Sequence, residues 1–169
     1  MHTVQKKVCL LGDFAVGKTS LIRRFVEGRF DDRYLSTIGV KISRKTVTRD
    51  DHLLNLLIWD LAGGDDFSKA STSYLRGAAG ALLVCDLTRA ATLDTLTDYA
   101  QQLKALDETA VLVLVGNKAD LLDERQISDE TLAAAAEAFA APYLLTSALT
   151  GHHVETAFHH LAEAIEKPL

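Results

Sequence analysis

Only two of the 169 residues are cysteine, too few for a disulfide framework. Cys9 and Cys85 each sit inside an apolar, strand-like run, so they read as small buried hydrophobes rather than a bridge or a metal pair. That favours a reducing, cytoplasmic setting. No signal peptide opens the chain, and no apolar run approaches the length of a membrane span. The closing residues, Ala164-Ile165-Glu166-Lys167-Pro168-Leu169, contain no cysteine, so no prenyl anchor is expected on this sequence. Basic stripes are lacking as well. With a net charge of −5 and no long Lys/Arg run, a nucleic-acid partner is not expected. Arg23-Arg24 and Arg44-Lys45 are short enough to be solvated faces. Internal repeats and low-complexity linkers are missing, so residues 1–169 are expected to form one domain, large enough to bury a core unaided. Hydrophobic residues at 48% and charged residues at 24% are ordinary for such a domain.

What is present is an alternation of apolar runs and helical patterns. Strands are expected at 3–11, 40–48, 53–60, 80–86, 111–116 and 143–146. Helices are expected at 18–27, 67–75, 92–106, 128–140 and 152–166. Val154, Ala157, Phe158, Leu161 and Ile165 share one face of the last, at helical spacing, and Ser128 is a good N-cap for the helix that follows it. Nearly continuous apolar strands such as Val111-Leu112-Val113-Leu114-Val115 suit a sheet covered on both sides. The expected fold is α/β: a doubly wound, mostly parallel six-stranded sheet with helices on both faces. Ligands of such sheets bind at the carboxyl ends of the strands.

The motifs fall at those ends. Gly12-Asp13-Phe14-Ala15-Val16-Gly17-Lys18-Thr19 fits the phosphate-loop pattern G-x-x-x-x-G-K-[ST], between an apolar strand and an amphipathic helix. Its backbone N–H groups, with Ser20 following, would cradle phosphates; Lys18 would reach the outer ones, and the Thr19 hydroxyl would ligate Mg²⁺. Trp59-Asp60-Leu61-Ala62-Gly63 ends another strand, with Asp60 as a partner of Mg²⁺ and Gly63 leaving room at a terminal phosphate. Asn117-Lys118-Ala119-Asp120 follows a third. A carboxylate at Asp120 can accept from N1–H and N2–H₂ of guanine, donors that adenine lacks, and such sites reject the wrong ligand by about 10⁴–10⁵. Thr146-Ser147-Ala148, continuing to Leu149, would bring backbone N–H groups to the guanine carbonyl.

Together these residues resemble the Ras-like small GTPases, most closely the Rab branch, over nearly the full length. Ser36-Thr37-Ile38-Gly39-Val40, Ser73-Tyr74-Leu75-Arg76-Gly77-Ala78 and Leu83-Val84-Cys85-Asp86-Leu87-Thr88 are similar to Rab stretches. The resemblance implies a G domain that binds GTP or GDP with Mg²⁺. Thr37 would ligate Mg²⁺ and sense the γ-phosphate, completing a metal set of Thr19, Thr37 and Asp60. Phe30 would pack on the guanine, Lys118 would cover its face and Tyr34 would close over the phosphates. Lys18, Thr37 and Gly63 are the implied catalytic residues. Thr37 and Gly63 would hold two loops while the γ-phosphate is present and release them on hydrolysis. Effectors, exchange factors and activating proteins are the implied partners of a monomer.

Two positions depart from the family. Gly64 stands where the water-orienting glutamine belongs, and Phe14 puts a benzyl group where the family has something small. Both should leave nucleotide binding intact and slow hydrolysis. Phe14 would also obstruct an inserted arginine, worth about 10³–10⁵ in rate. Asp65 and Asp66 read as exposed residues rather than a substitute base. Leu149 replaces a lysine at little cost, because backbone carries that contact. His152, His153, His159 and His160 read as a solvated face, since no pair has the i, i+4 spacing of helical metal ligands. The expected function is a guanine-nucleotide switch with slow hydrolysis; the alternative is a GTP-loaded binding module governed by nucleotide exchange.

Overall fold

Residues 2–28, 40–61 and 71–167 are described by a computed structural model of the chain. Six strands form one sheet: β1 (His2–Leu11), β2 (Val40–Thr48), β3 (His52–Leu61), β4 (Ala78–Asp86), β5 (Val111–Asn117) and β6 (Tyr143–Leu145). Their spatial order is β2-β3-β1-β4-β5-β6. β2 runs antiparallel to β3 through a tight hairpin, while β3, β1, β4, β5 and β6 are parallel. The helices are α1 (Lys18–Glu27), α2 (Ser71–Leu75), α3 (Ala91–Asp94), α4 (Leu96–Leu106), α5 (Asp129–Ala138) and α6 (Val154–Glu166).

The continuous apolar runs have a simple cause: alternate residues of one strand enter different cores. Val8, Leu10, Leu82, Val84, Val113 and Val115 face α1 and α6, and Phe25 of α1 stacks on Phe158 of α6 with ring centroids 4.2 Å apart. Cys9, Leu11, Leu83, Cys85, Leu112 and Leu114 face the other way, toward Leu96 and Leu103 of α4 and Leu132 of α5. A strand sandwiched between helices has no polar face to display. Each fully buried Leu or Phe in these layers contributes about 1.5–3 kcal/mol. β2 lacks this double cover, and most of its side chains are exposed or half-buried, as suits an edge.

Beyond shifts of one or two residues at element ends, two elements depart from the sequence expectations, and a third lies partly outside the described residues. The helix expected at 92–106 is divided at Thr95, whose hydroxyl donates to Asp13 Oδ2 at 2.9 Å. A 3-10 turn, Leu122–Glu124, follows the loop after β5, where no helical period marked it. Of the helix expected at 67–75, only Ser71–Leu75 lies within the described residues. Five parallel strands thus deliver their carboxyl ends to one edge, and the loops beginning at residues 12, 62, 87, 118 and 146 leave from it.

Candidate functional site

β1 ends at Leu11 and hands the chain to the phosphate loop. Gly12 must be glycine because a Cβ there would lie 2.3 Å from the Val84 carbonyl oxygen. Gly17 has φ 105°, and its Cβ would lie 2.3 Å from Asn117 Nδ2. Both clashes are with the neighbouring strands, so glycine lets the loop sit against β4 and β5. Ala15 adopts φ 62°, a left-handed conformation that costs a side-chain-bearing residue on the order of 1–2 kcal/mol. Such a conformation is held only when its surroundings impose it.

Lys18 is buried, and its Nζ donates to the carbonyls of Gly12 at 2.8 Å and Asp13 at 3.0 Å. Burial lowers its ammonium to about 8; Asp60 and Asp13 pull it back up, and Arg89 pushes it further down. The α1 N-terminus has Gly17 as its cap, with no side-chain cap hydrogen bond and no acid in the first turn. The partial positive charge of such a helix start suits an anion. The Thr19 hydroxyl donates to Asp60 Oδ2, which joins α1 to the end of β3. Asp13 turns its carboxylate away from the loop toward the Thr95 hydroxyl, with the Tyr99 hydroxyl 3.4 Å away. Phe14 is 52% exposed, and its carbonyl accepts from Arg89 Nη2 at 2.8 Å.

The loops after β5 and β6 are bound to this one through side chains. Asn117 is buried; its Nδ2 donates to the Val16 carbonyl at 3.0 Å, and its Oδ1 accepts from the Thr146 hydroxyl at 3.0 Å. Lys118 follows at φ 69°, and its Nζ lies 2.8 Å from Asp86 Oδ2. The Ser147 hydroxyl donates to Asp120 Oδ1 at 2.7 Å, fixing the orientation of that carboxylate. Ala148 is buried and Leu149 half exposed. Two of the amides expected to face guanine are committed elsewhere: Thr146 N–H donates to Gly116 O at 2.8 Å and Ser147 N–H to His152 O at 3.1 Å.

Some contributors were not foreseen. Arg24, expected on a solvated face, instead donates from Nε to Ala148 O at 3.0 Å and from Nη2 to Leu149 O, clamping the loop after β6. Asp86 ends β4 fully buried, receiving Thr88 N–H, the Thr88 hydroxyl, Arg89 Nε and Lys118 Nζ. Burial alone would raise its carboxyl, but the hydrogen bonds from Lys118, Thr88 and Arg89 prevail and hold it below the usual range. A charged residue closing an apolar strand was the signal, the same one that marks Asp60. Arg24, Thr95 and Tyr99 carried no such signal, because their roles depend on which helix packs where. His159 lies edge-on to Phe25 at 5.9 Å, so the histidine cluster is not wholly a solvated face.

Phe30, Tyr34, Thr37, Ile38, Gly39, Ala62, Gly63, Gly64, Asp65 and Asp66 lie outside the described residues. For Mg²⁺, the donors in place are a hydroxyl, Thr19, in contact with a buried carboxylate, Asp60. An oxygen-only pair suits a hard cation that draws its other ligands from water and phosphate, so these residues fit it.

Residues 7–167 match the Ras family. The chain is 40% identical to the Ras-related protein Rab-10 of Caenorhabditis elegans, over 94% of this chain and 80% of that protein. It is 39% identical to the Ras-related protein RabJ of Dictyostelium discoideum, over 96% of this chain but 64% of that longer protein. Identity to the Ras-related protein RABD1 of Arabidopsis thaliana is 35%, over 96% of this chain and 80% of that protein. With the phosphate loop, the Asp60 contact and the Asn117 and Asp120 loops at one sheet edge, the chain belongs to the Ras family of small GTPases, proteins that bind GTP or GDP with Mg²⁺, and within it is Rab-like.

Proposed function

We propose that residues 1–169 act as one G domain, a guanine-nucleotide switch that binds firmly and hydrolyses GTP slowly. The observation that carries the binding half is the side-chain lattice tying three loops together: Asn117 to Val16, Thr146 to Asn117, and Ser147 to Asp120. The Ser147 bond that holds the Asp120 carboxylate supports its reading as the acceptor for the guanine edge. With the amides of Thr146 and Ser147 already used, the guanine carbonyl falls to Ala148. Lys18 and the phosphate-loop amides meet the phosphates. Thr19, with Thr37 and Asp60, would hold Mg²⁺, which when bound neutralises phosphate charge. Phe30, Tyr34 and Gly63 keep the roles that the family resemblance gives them, and effectors and regulators would engage the loops that Thr37 and Gly63 control.

The hydrolysis half rests on two residues. Gly64 has no side chain with which to orient water. Phe14 carries a half-exposed benzyl group on the phosphate loop, where it would hinder an incoming side chain. Single-turnover hydrolysis of bound GTP tests both. Gly64→Gln should accelerate turnover on the order of 100-fold, the lower end of the range for a positioned catalytic group. Rapid turnover by the unaltered protein would overturn the slow-switch reading. An inert Gly64→Gln protein that is rescued only by also changing Phe14→Ser would make Phe14 the dominant obstacle.

A further inference from the structure

Asp86 is a buried carboxylate with four partners, and they sort by oxygen. Oδ1 accepts from Thr88 N–H at 2.8 Å and the Thr88 hydroxyl at 2.6 Å, contacts local to the turn after β4. Oδ2 receives two cations: Arg89 Nε at 3.0 Å and Lys118 Nζ at 2.8 Å. Each cation belongs to a different part of the nucleotide site. Lys118 lies in the base-recognition loop. Arg89 reaches on with Nη2 to the Phe14 carbonyl in the phosphate loop. The backbone at Lys118 is left-handed, as it is at Ala15 in the phosphate loop, so both loops adopt conformations that need outside support.

We infer that Asp86 is a positioning residue that couples the phosphate loop to the base-recognition loop, with Arg89 and Lys118 as its two arms. The inference rests on the nucleotide-site reading above and adds to it a residue that touches no nucleotide. The two cations would repel each other at this distance; only a charged, buried acceptor lets both sit there. A neutral isostere would keep the Thr88 contacts and release the arms. Arg89 suits the task because its planar fork can bond the carboxylate with one nitrogen and the carbonyl with another, which a lysine cannot do.

The test uses the full chain loaded with fluorescent GDP and follows its release after a chase of unlabelled GDP. Asp86→Asn should speed release on the order of tenfold, as expected for losing charge-assisted hydrogen bonds. Arg89→Gln, a change at a half-exposed side chain that leaves the core intact, should speed it by roughly threefold, since one arm remains. The double variant Asp86→Asn with Arg89→Gln should release little faster than Asp86→Asn alone, because both act through one linkage. Leu161→Ala, a buried cavity far from these loops, serves as the stability control and should lower Tm without a comparable change in release. Release by Asp86→Asn at the wild-type rate, or no faster than by a Leu161→Ala protein of equal Tm, overturns the coupling. Multiplicative effects in the double variant overturn it as well. Should Asp86→Asn not fold, unchanged release by Arg89→Gln is sufficient to overturn it. If unaltered protein fails to bind fluorescent GDP at all, the failure lies with the nucleotide-site reading instead.

Discussion

Helices α1 and α5 are each ten residues long, yet they begin in opposite ways. α5 closes its own N-terminus: the Ser128 side chain accepts from Thr131 N–H at 3.1 Å, and Asp129 and Glu130 stand in the first turn. α1 begins at a glycine, with no side-chain cap and no acid. The same four orphan N–H groups and the same partial charge are present at both ends. In α5 they serve stability. In α1 the cap residue contributes no side-chain hydrogen bond and, among the described residues, a buried lysine is placed beside them. A helix start left unfinished by its sequence is therefore the more informative of the two.

Giving α1 the cap that α5 has should have the largest effect. Gly17→Ser places a Cβ 2.3 Å from Asn117 Nδ2 at a left-handed position and offers a competing acceptor to the helix amides. Nucleotide affinity should fall on the order of 100-fold, about 3 kcal/mol. Fluorescent-nucleotide titration, with circular dichroism to confirm folding, measures it; retained affinity would mean that the open helix start is incidental.

A smaller effect should come from Lys18. Its ammonium, lowered to about 8 by burial, must be protonated to meet phosphate, so binding takes up a proton above that pH. Affinity should drop about fourfold between pH 7 and 8.5, a range chosen below the ionisation of the guanine ring. The unfolded chain holds this proton up to the ordinary lysine value, so the empty protein changes in the opposite sense and gains stability from Lys18 over the same rise. Calorimetric titration in buffers of different ionisation enthalpy detects the uptake, and a pH-independent affinity would sever Lys18 from the phosphates. The least effect on binding belongs to Ser128→Ala. It should cost about 1 kcal/mol of stability by thermal denaturation and leave nucleotide affinity unchanged, because the α5 start is closed by its own cap and does not belong to the loops of the proposed site.

Much of this was legible from residues alone. The ends of β4 and β5 are marked by Asp86 and Asn117 closing apolar runs, and the phosphate loop by glycines that the neighbouring strands require. The Ser128 cap was visible because capping is local. Other features were not, for a common reason. Arg24 looks like any surface arginine until α1 is docked beside the loop after β6. The break at Thr95 reflects a hydroxyl answering Asp13, a residue 82 positions away in sequence. Asp86 belongs to a stretch similar to Rab proteins, but its grip on two loops follows only from the β1-β4-β5 order of the sheet.

The two buried cysteines have a consequence of their own. Cys9 and Cys85 lie on the adjacent strands β1 and β4, fully enclosed, and burial pushes both thiols up to about 12. A thiol so protonated and so enclosed is inert to alkylating reagents while the fold is shut. Both strands feed the nucleotide edge directly, one ending at the phosphate loop and the other at Asp86. Cysteine modification is therefore a built-in clock for opening of the sheet centre, and a ligand that locks those loops would slow it without touching either sulfur.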